Sequence, residues 1–164
     1  MKEIAARRLL PTPIGLISIA TTEKGVAALD ILRPEASLAE FSASDSAREI
    51  AELAAGQLRE YFDQDRTKFE VPIDVGGTQF QEAVWSEISK IGFGKTLSYG
   101  QIAERIGRPK GSRPVGGAVG ANPVPIIVPC HRVMGSSGKI TGYSGGEGIA
   151  TKIQLLDLEG IAHK

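Results

Sequence analysis

Residues 129–133 read PCHRV and place a thiol, an imidazole and a guanidinium on consecutive positions. The chain holds one cysteine and two histidines, so Cys130 is its only thiol and His163 is the only other imidazole. The thiolate is the reactive form of cysteine, and neighbouring cationic or imidazole groups favour it. A lone cysteine is more often a small buried hydrophobe than a nucleophile. The neighbours of Cys130 favour a nucleophilic role, and simple packing is the alternative.

The adjacency of Cys130 and His131 limits how the two side chains can cooperate. Adjacent residues on an extended segment point to opposite faces, so direct pairing is awkward and a bridging water is the natural relay. A cysteine hydrolase more often draws its histidine from elsewhere in the chain. His163, close to the C-terminus, is a poor candidate for that role. A Cys–His hydrolase therefore stays an alternative that this geometry weakens.

The elements that must position residues 129–133 are predicted on either side of them. Apolar side chains recur at helical spacing in residues 79–90, which predicts a helix. The run at 126–128, IIV, is apolar and β-branched, which predicts a buried strand or extended segment. Residues 149–159 are predicted to form a further helix, with Gly160 as its C-cap.

Two short helices are predicted between these elements. Ser98 is a suitable N-cap for a helix at 99–106, and the sequence GRP ends that helix. Ser112 is expected to cap a second helix that runs to Ala121. Two short helices joined by a tight turn that contains glycine predict a helix-turn-helix.

The first half of the chain shows strand and helix signals without a cluster of reactive side chains. Strands are predicted at 16–20, 26–32 and 69–73, and a helix is predicted at 46–62. Residues 74–78, DVGGT, are the predicted linker. We therefore expect two domains, a supporting α/β domain at 1–74 and a mostly helical domain with the helix-turn-helix and the active site at 75–164.

Charge is unevenly distributed along a chain of 164 residues whose formal net charge is zero. Residues 95–139 contain seven basic residues and one acidic residue, an excess of six positive charges that the remainder balances. This excess coincides with the helix-turn-helix, which favours contact with a phosphate backbone over a merely solvated face. Residues 115–121, VGGAVGA, have little bulk and no side chain suited to reading bases. We therefore predict binding to a nucleic-acid backbone without sequence-specific readout.

The composition also excludes several classes of protein. One cysteine cannot form an internal disulfide, and one cysteine with two histidines cannot form an ordinary zinc cluster. The first 20 residues contain no apolar stretch long enough for a signal peptide or a membrane span. We therefore expect a cytoplasmic protein that does not bind membranes and holds no metal.

Residues 122–133, NPVPIIVPCHRV, resemble the active-site signature of the O6-alkylguanine-DNA alkyltransferases, the methylated-DNA–protein-cysteine methyltransferases. The resemblance extends to residues 80–85 (FQEAVW), 98–103 (SYGQIA), 113–118 (RPVGGA), 141–146 (TGYSGG) and 155–160 (LLDLEG). It covers nearly all of residues 78–160, with the motifs in the family's order. The N-terminal half is similar more loosely, through residues 12–15 (TPIG) and the strands that follow. For that half the family implies an RNase H-like α/β fold.

The resemblance implies a catalytic role for five residues. Cys130 is the implied alkyl acceptor, His131 its base through a water, and Glu159 the residue that orients the imidazole. Asn122 is implied to hold the turn before Cys130. Tyr99 is implied to assist base flipping and to donate a hydrogen bond to guanine N3.

The resemblance also implies contacts to DNA and to the flipped base. Arg113 is the implied finger that fills the gap left by the extruded nucleotide. The other implied DNA-binding residues are Tyr99, Ser98, Gly117, Ala118 and Ala121. The implied substrate-binding residues are Val133, Tyr143, Ser144 and Val119, with the carbonyls of Cys130 and Val133 and the amide of Ser144 gripping the base.

The function that the resemblance implies is direct repair of DNA. An alkyl group moves from O6-alkylguanine, or less efficiently O4-alkylthymine, to cysteine in one turnover without a cofactor. The implied partner is double-stranded DNA with alkylated bases, bound by a monomer through the minor groove, with clustering on DNA left open. An alkyltransferase-like protein that only binds alkylated DNA is disfavoured because such proteins lack the cysteine. A helix-turn-helix transcription regulator is disfavoured by the glycine-rich second helix.

Overall fold

The computed structural model describes residues 3–164; Met1 and Lys2, part of the segment searched for an export signal, lie outside it. The chain forms two compact units that divide between Val75 and Gly76. We call them the N-terminal unit and the C-terminal unit.

The N-terminal unit contains a four-stranded antiparallel sheet with the strand order β3-β2-β1-β4. The strands are β1 (Ala6–Thr12), β2 (Gly15–Thr21), β3 (Val26–Ile31) and β4 (Phe41–Ser42). β1 and β2 form a hairpin in which Thr12 pairs with Gly15. Gly15 has a φ of 116°, a conformation that glycine adopts without steric cost.

One helix, α1 (Asp45–Phe62), packs against this sheet. Ser44 caps it by accepting a hydrogen bond from the backbone N–H of Ala47. Its buried face consists mainly of alanines, together with Leu58 and Tyr61, which are both fully buried. The apolar core of the unit therefore lies between α1 and the sheet.

The prediction of a strand at 69–73 is wrong, except that the last residue of this segment pairs. Only Ile73 pairs, in an isolated bridge with Val26. The Gln57 side chain takes the backbone of Glu70 instead, accepting from its N–H at 2.8 Å and donating to its carbonyl at 3.2 Å. Pro72 has no N–H to extend a ladder. A side chain on α1 thus satisfies the backbone that a strand would otherwise have paired.

Four helices and one pair of short parallel strands form the C-terminal unit. The helices are α2 (Gln79–Ser89), α3 (Tyr99–Arg105), α4 (Ser112–Gly120) and α5 (Ile149–Leu158). The strands are β5 (Leu97–Ser98) and β6 (Val133–Met134). Trp85 on α2 donates from its indole N–H to the Ala118 carbonyl at 2.8 Å, which ties α2 to α4.

The helix-turn-helix consists of α3 and α4, which pack against each other. Ser98 caps α3 as predicted, and it forms a reciprocal capping box with Gln101. The cap predicted for α4 is wrong, because Gly111 occupies the N-cap position and Ser112 is the first helical residue. No side chain caps α4, so its first N–H groups stay available to an acceptor.

The strand predicted at 126–128 is also wrong, because this segment is a tight turn. Val128 donates its backbone N–H to the Val124 carbonyl at 3.0 Å. Ile126 has a φ of 75°, in the left-handed region that a β-branched residue rarely adopts. The segment after it is not extended either, since residues 130–132 form one 3-10 turn.

The fold class predicted from the sequence is confirmed, with an N-terminal sheet-and-helix unit and a mostly helical C-terminal unit. Across residues 3–164, no helix combines the length and the apolar character that crossing a membrane requires.

Candidate active site

Cys130 begins the 3-10 turn Cys130–Arg132, and its residue surface is only 5% exposed. The side chain of Asn122 spans the turn that leads to it. The Asn122 amide donates to the Val128 carbonyl at 2.8 Å, and its oxygen accepts from the Val124 N–H at 3.0 Å. These two bonds hold the turn whose left-handed residue is Ile126, and they set where Cys130 emerges.

Burial raises the pKa of the Cys130 thiol above its ordinary value. Hydrogen bonding by Asn122 and the positive charge of Lys152 lower the pKa, but they do not cancel the effect of burial. Burial therefore opposes the thiolate, which the neighbouring cation and imidazole favour, and a base is needed to draw the proton from the sulfur.

His131 supplies a neutral imidazole beside this thiol. The residue is completely buried, and burial lowers its pKa, so the ring is uncharged at neutral pH. Its Nε2 lies 2.6 Å from Glu159 Oε2, which makes Nε2 the donor to the carboxylate. Nδ1 has no hydrogen-bond partner among residues 3–164. The nitrogen with the free lone pair is therefore Nδ1.

Glu159 is shared between the His131 imidazole and the Arg132 guanidinium. Arg132 makes two bonds to its carboxylate, from Nε at 2.8 Å and from a terminal nitrogen at 3.0 Å. The other terminal nitrogen of Arg132 donates to the Ile91 carbonyl at 2.6 Å. Gly94 donates its N–H to the same carboxylate at 3.1 Å. This bidentate pair gives the buried Glu159 carboxylate charge-assisted partners in the interior.

Lys152 on α5 is a further buried cation near the cysteine. The residue is completely buried, and its ammonium donates to the carbonyls of Val133 at 2.7 Å and Gly142 at 3.2 Å. Burial lowers the pKa of Lys152, and the proximity of Cys130 raises it. The ammonium thus binds two backbone carbonyls, and its positive charge acts on the Cys130 sulfur.

A cavity of about 770 Å³ opens beside Cys130. Helices α3 and α4 and the loop after β6 supply its walls. Its lining includes Cys130 and, among the predicted site residues, Ser98, Tyr99, Arg113, Val119, Tyr143 and Ser144. The Tyr99 hydroxyl lies 2.9 Å from the Thr141 hydroxyl, and both residues line the cavity. Val133 is fully buried, with its carbonyl bonded to Lys152.

The predicted DNA-binding residues of α4 divide between two faces. Gly117 and Ala121 are exposed, as is Arg113 at the start of the helix. Ala118 is 3% exposed and faces inward, where its carbonyl accepts from Trp85. A surface that approaches α4 can therefore touch Gly117 and Ala121, whereas Ala118 supports the helix from below.

The basic segment at 95–139 presents six of its seven cations to solvent. They are Lys95, Arg105, Arg108, Lys110, Arg113 and Lys139. Arg132 is the exception, because it is buried against Glu159. The exposed cations are concentrated on the helix-turn-helix and the segments that flank it.

The sequence assigned no partner or specific role to three residues of this site. Arg132 counted there only as a cation beside the thiol and in the basic segment, Thr141 only as part of the motif at 141–146, and Lys152 did not stand out. A signal existed for Lys152, which lies three and four residues before Leu155 and Leu156 on the apolar face of α5. No sequence pattern marks which hydroxyl would meet Tyr99.

Comparison with known proteins assigns both units to one family. Residues 6–75 match the family model described as 6-O-methylguanine DNA methyltransferase, ribonuclease-like domain. Residues 79–161 match the model described as 6-O-methylguanine DNA methyltransferase, DNA binding domain. The chain therefore belongs to the 6-O-methylguanine DNA methyltransferase family, whose members are named methylated-DNA–protein-cysteine methyltransferases.

Individual relatives are similar over different lengths. The methylated-DNA–protein-cysteine methyltransferase of Mycobacterium tuberculosis is 53% identical over 106 residues. This alignment covers 65% of this chain and 63% of the relative. That of Mycolicibacterium paratuberculosis is 41% identical over 152 residues, 93% of this chain and 90% of the relative. The crystal structure of M. tuberculosis OGT in complex with DNA superposes with a TM-score of 0.81 at 40% identity, covering 94% of this chain and 92% of that one.

Proposed function

We propose that this protein repairs alkylated DNA by moving an alkyl group from O6-alkylguanine, and less efficiently from O4-alkylthymine, to Cys130. One observation carries the proposal: the only thiol of the chain lines the cavity that α3 and α4 also line, next to an imidazole held by a carboxylate. Membership of the family and the similarity to a chain crystallised with DNA support it.

The residues around Cys130 can carry out the transfer without an added cofactor. The thiol loses its proton to His131 Nδ1 through a bridging water, and Glu159 stabilises the imidazolium that forms. The sulfur then forms a bond to the alkyl carbon while the bond from that carbon to O6 breaks. The base keeps the electron pair and takes up, through solvent, the proton that His131 received from the thiol, with Tyr99 donating a hydrogen bond at N3. Lys152 favours the thiolate electrostatically during this step.

The product limits each molecule to one reaction. A thioether is stable, and the chain has no second thiol to accept the alkyl group in a later step. We therefore propose a stoichiometric reaction in which the protein is consumed.

The duplex must present its base to a cavity, so the target nucleotide has to be flipped out at a cost of a few kcal/mol. We propose that α4 enters the minor groove, where its small exposed residues Gly117 and Ala121 allow the backbone to approach. Arg113 fills the gap in the duplex. Exposed cations bind phosphates, which positions the protein without reading sequence. We propose that the base is held by the Cys130 carbonyl, by the Ser144 amide and by the second lone pair of the Val133 carbonyl, whose other lone pair accepts from Lys152, with Tyr143 as a wall.

Two further expectations belong to this proposal. The protein acts as a monomer on double-stranded DNA, and clustering along DNA is tested by the dependence of binding on protein concentration. We propose that it works in the cytoplasm, where a free thiol persists.

Transfer of label tests the proposal directly. The protein is incubated with duplex DNA that carries O6-methylguanine labelled in the methyl group, and the Cys130 peptide is then analysed. We expect up to one label per protein molecule, and none in Cys130→Ala. Tight binding to the alkylated duplex without label on Cys130 would show a binding protein instead, and label on another residue would show a different acceptor.

A further inference from the structure

The loop after β6 contributes a hydroxyl to the cavity wall at Thr141. Its Oγ1 lies 2.9 Å from the Tyr99 hydroxyl, across 42 residues of sequence, and either oxygen can be the donor. Tyr99 opens α3, so this one bond joins the helix-turn-helix to the loop at the opposite wall of the cavity. A tyrosine hydroxyl has a single proton and accepts through its lone pairs. If Thr141 donates to it, the Tyr99 proton is free to point at a ligand.

The Thr141 side chain is oriented by its own contacts. A Cβ added at Gly135 would lie 2.9 Å from the Thr141 methyl group and 3.1 Å from the Lys139 carbonyl. The methyl group therefore rests where only a glycine leaves space, while the hydroxyl faces Tyr99. The tyrosine ring is flanked on its other side by α4, because a Cβ on Gly116 would lie 3.9 Å from two of its ring carbons.

We propose that Thr141 is a positioning residue that orients the Tyr99 O–H toward N3 of the flipped guanine. By donating to the tyrosine oxygen, Thr141 directs the tyrosine proton into the cavity and strengthens it as a donor, since linked hydrogen bonds polarise one another. Thr141 itself does not touch the reacting atoms. The inference rests on the proposed function, because it concerns how the same cavity holds the base.

Two substitutions at this position separate the hydroxyl from the shape of the side chain. Thr141→Val keeps the branched shape and removes the hydroxyl, and Thr141→Ser keeps the hydroxyl and removes the methyl group. Each is compared with the unaltered protein in single-turnover transfer to Cys130. The substrates are a duplex with O6-methylguanine and the same duplex with O6-methyl-3-deazaguanine, in which a C–H replaces N3.

We expect the unaltered protein to react faster with the substrate that has N3. Thr141→Val should slow that reaction about three- to tenfold, the effect of one neutral hydrogen bond, and leave the 3-deaza reaction unchanged. Thr141→Ser should react with both substrates at nearly the unaltered rates. Equal slowing of both substrates by Thr141→Val, or a serine variant as slow as the valine one, would overturn the proposal.

A variant at Gly135 tests the position of the Thr141 side chain from the side of its methyl group. Gly135→Ala places a methyl group against the Thr141 side chain, so it should slow the reaction with O6-methylguanine and spare the 3-deaza substrate. Thermal unfolding of each variant shows whether the fold is intact. An unaltered protein that labels Cys130 but treats both substrates alike would refute the Thr141 role and leave the repair function standing. An unaltered protein that labels nothing would refute both.

Discussion

In the N-terminal unit Arg8 meets Glu40 and Glu52 at the surface, whereas in the C-terminal unit Arg132 meets Glu159 in the interior. The Arg8 side chain is 29% exposed and its partners are more than half exposed. The Arg132 and Glu159 side chains are 6% and 0% exposed. The same pair of residue types therefore has different consequences, because a buried charge that loses its partner has no water to replace it.

The interiors of the two units also differ in the charged residues that they bury. The N-terminal core is formed by the alanine face of α1 and the strands beneath it, and the polar side chains that it buries, Ser18, Thr21 and Gln57, are all uncharged. In the C-terminal unit, His131, Arg132, Lys152 and Glu159 are buried within one region around Cys130. A core can be made without such residues, as the first unit shows. Their cost is tolerated where they surround the thiol that we propose as the alkyl acceptor.

The largest expected difference between the units is in stability. Arg132→Met should lower the free energy of unfolding of the C-terminal unit by about 3–5 kcal/mol, because Glu159 stays buried without its bidentate partner. Arg8→Met should cost about 1 kcal/mol or less, since its exposed partners turn to water. Urea unfolding followed by fluorescence of Trp85, the only tryptophan, reports on the C-terminal unit, and circular dichroism reports on the whole chain. Equal losses would contradict the assignment of the difference to burial.

The next effect concerns reactivity. Lys152→Met removes the cation that lowers the pKa of Cys130 against the effect of burial, so this pKa rises further. The rising limb of the pH–rate curve should move to higher pH, and transfer near neutral pH should slow about tenfold.

Raising the pH should return much of the lost rate in Lys152→Met. Lys24→Met, at an exposed lysine of the N-terminal unit, should leave the pH–rate curve unchanged. A loss that is the same at every pH would show that Lys152 acts only through its bonds to the carbonyls of Val133 and Gly142.

The smallest expected effect is on the rate of repair and compares exposed arginines on the two units. Arg113→Ala should slow repair of a duplex several-fold, because the gap left by a flipped base costs a few kcal/mol to keep open and the side chain offsets part of it. Reaction with free O6-benzylguanine should change little, since no duplex is opened. Arg48→Ala, at an exposed arginine on α1, should affect neither reaction. Equal slowing of both substrates by Arg113→Ala would contradict the finger role and place the side chain in base binding instead.

Local patterns were enough to predict much of the C-terminal unit. Ser98 with Gln101 marks the start of α3, and the apolar spacing of α2 and α5 marks their faces. The predictions failed where a distant or specific contact decides the backbone. Gln57 takes up the backbone of Glu70, and Asn122 closes a turn across residues that have high strand propensity.

The strands of the N-terminal unit were harder to predict for a different reason. Strand β1 was missed because Arg7 and Arg8 interrupt its apolar residues and Pro11 lies near its end. Its register depends on pairing with β2 and β4, which sequence spacing does not encode. In the site, the nucleophilic role of Cys130 and the water relay to His131 followed from residue types and adjacency, whereas the roles of Glu159 and Asn122 came from the family resemblance. The buried positions of Arg132 and Lys152 depend on the packing of α5, which no local sequence pattern encodes.

The hydrogen bond between His131 and Glu159 joins residues that are 28 positions apart, and Lys152 also follows Cys130 in the chain. The ribosome therefore delivers the thiol before it delivers the carboxylate and the ammonium. Until α5 emerges and packs, the nascent chain carries a cysteine whose histidine has no carboxylate to hold it. The proposed acceptor therefore gains these two partners only after the N-terminal unit and the helix-turn-helix have been synthesised. Under the proposed single transfer, this order of synthesis delays the activation of a thiol that can react only once.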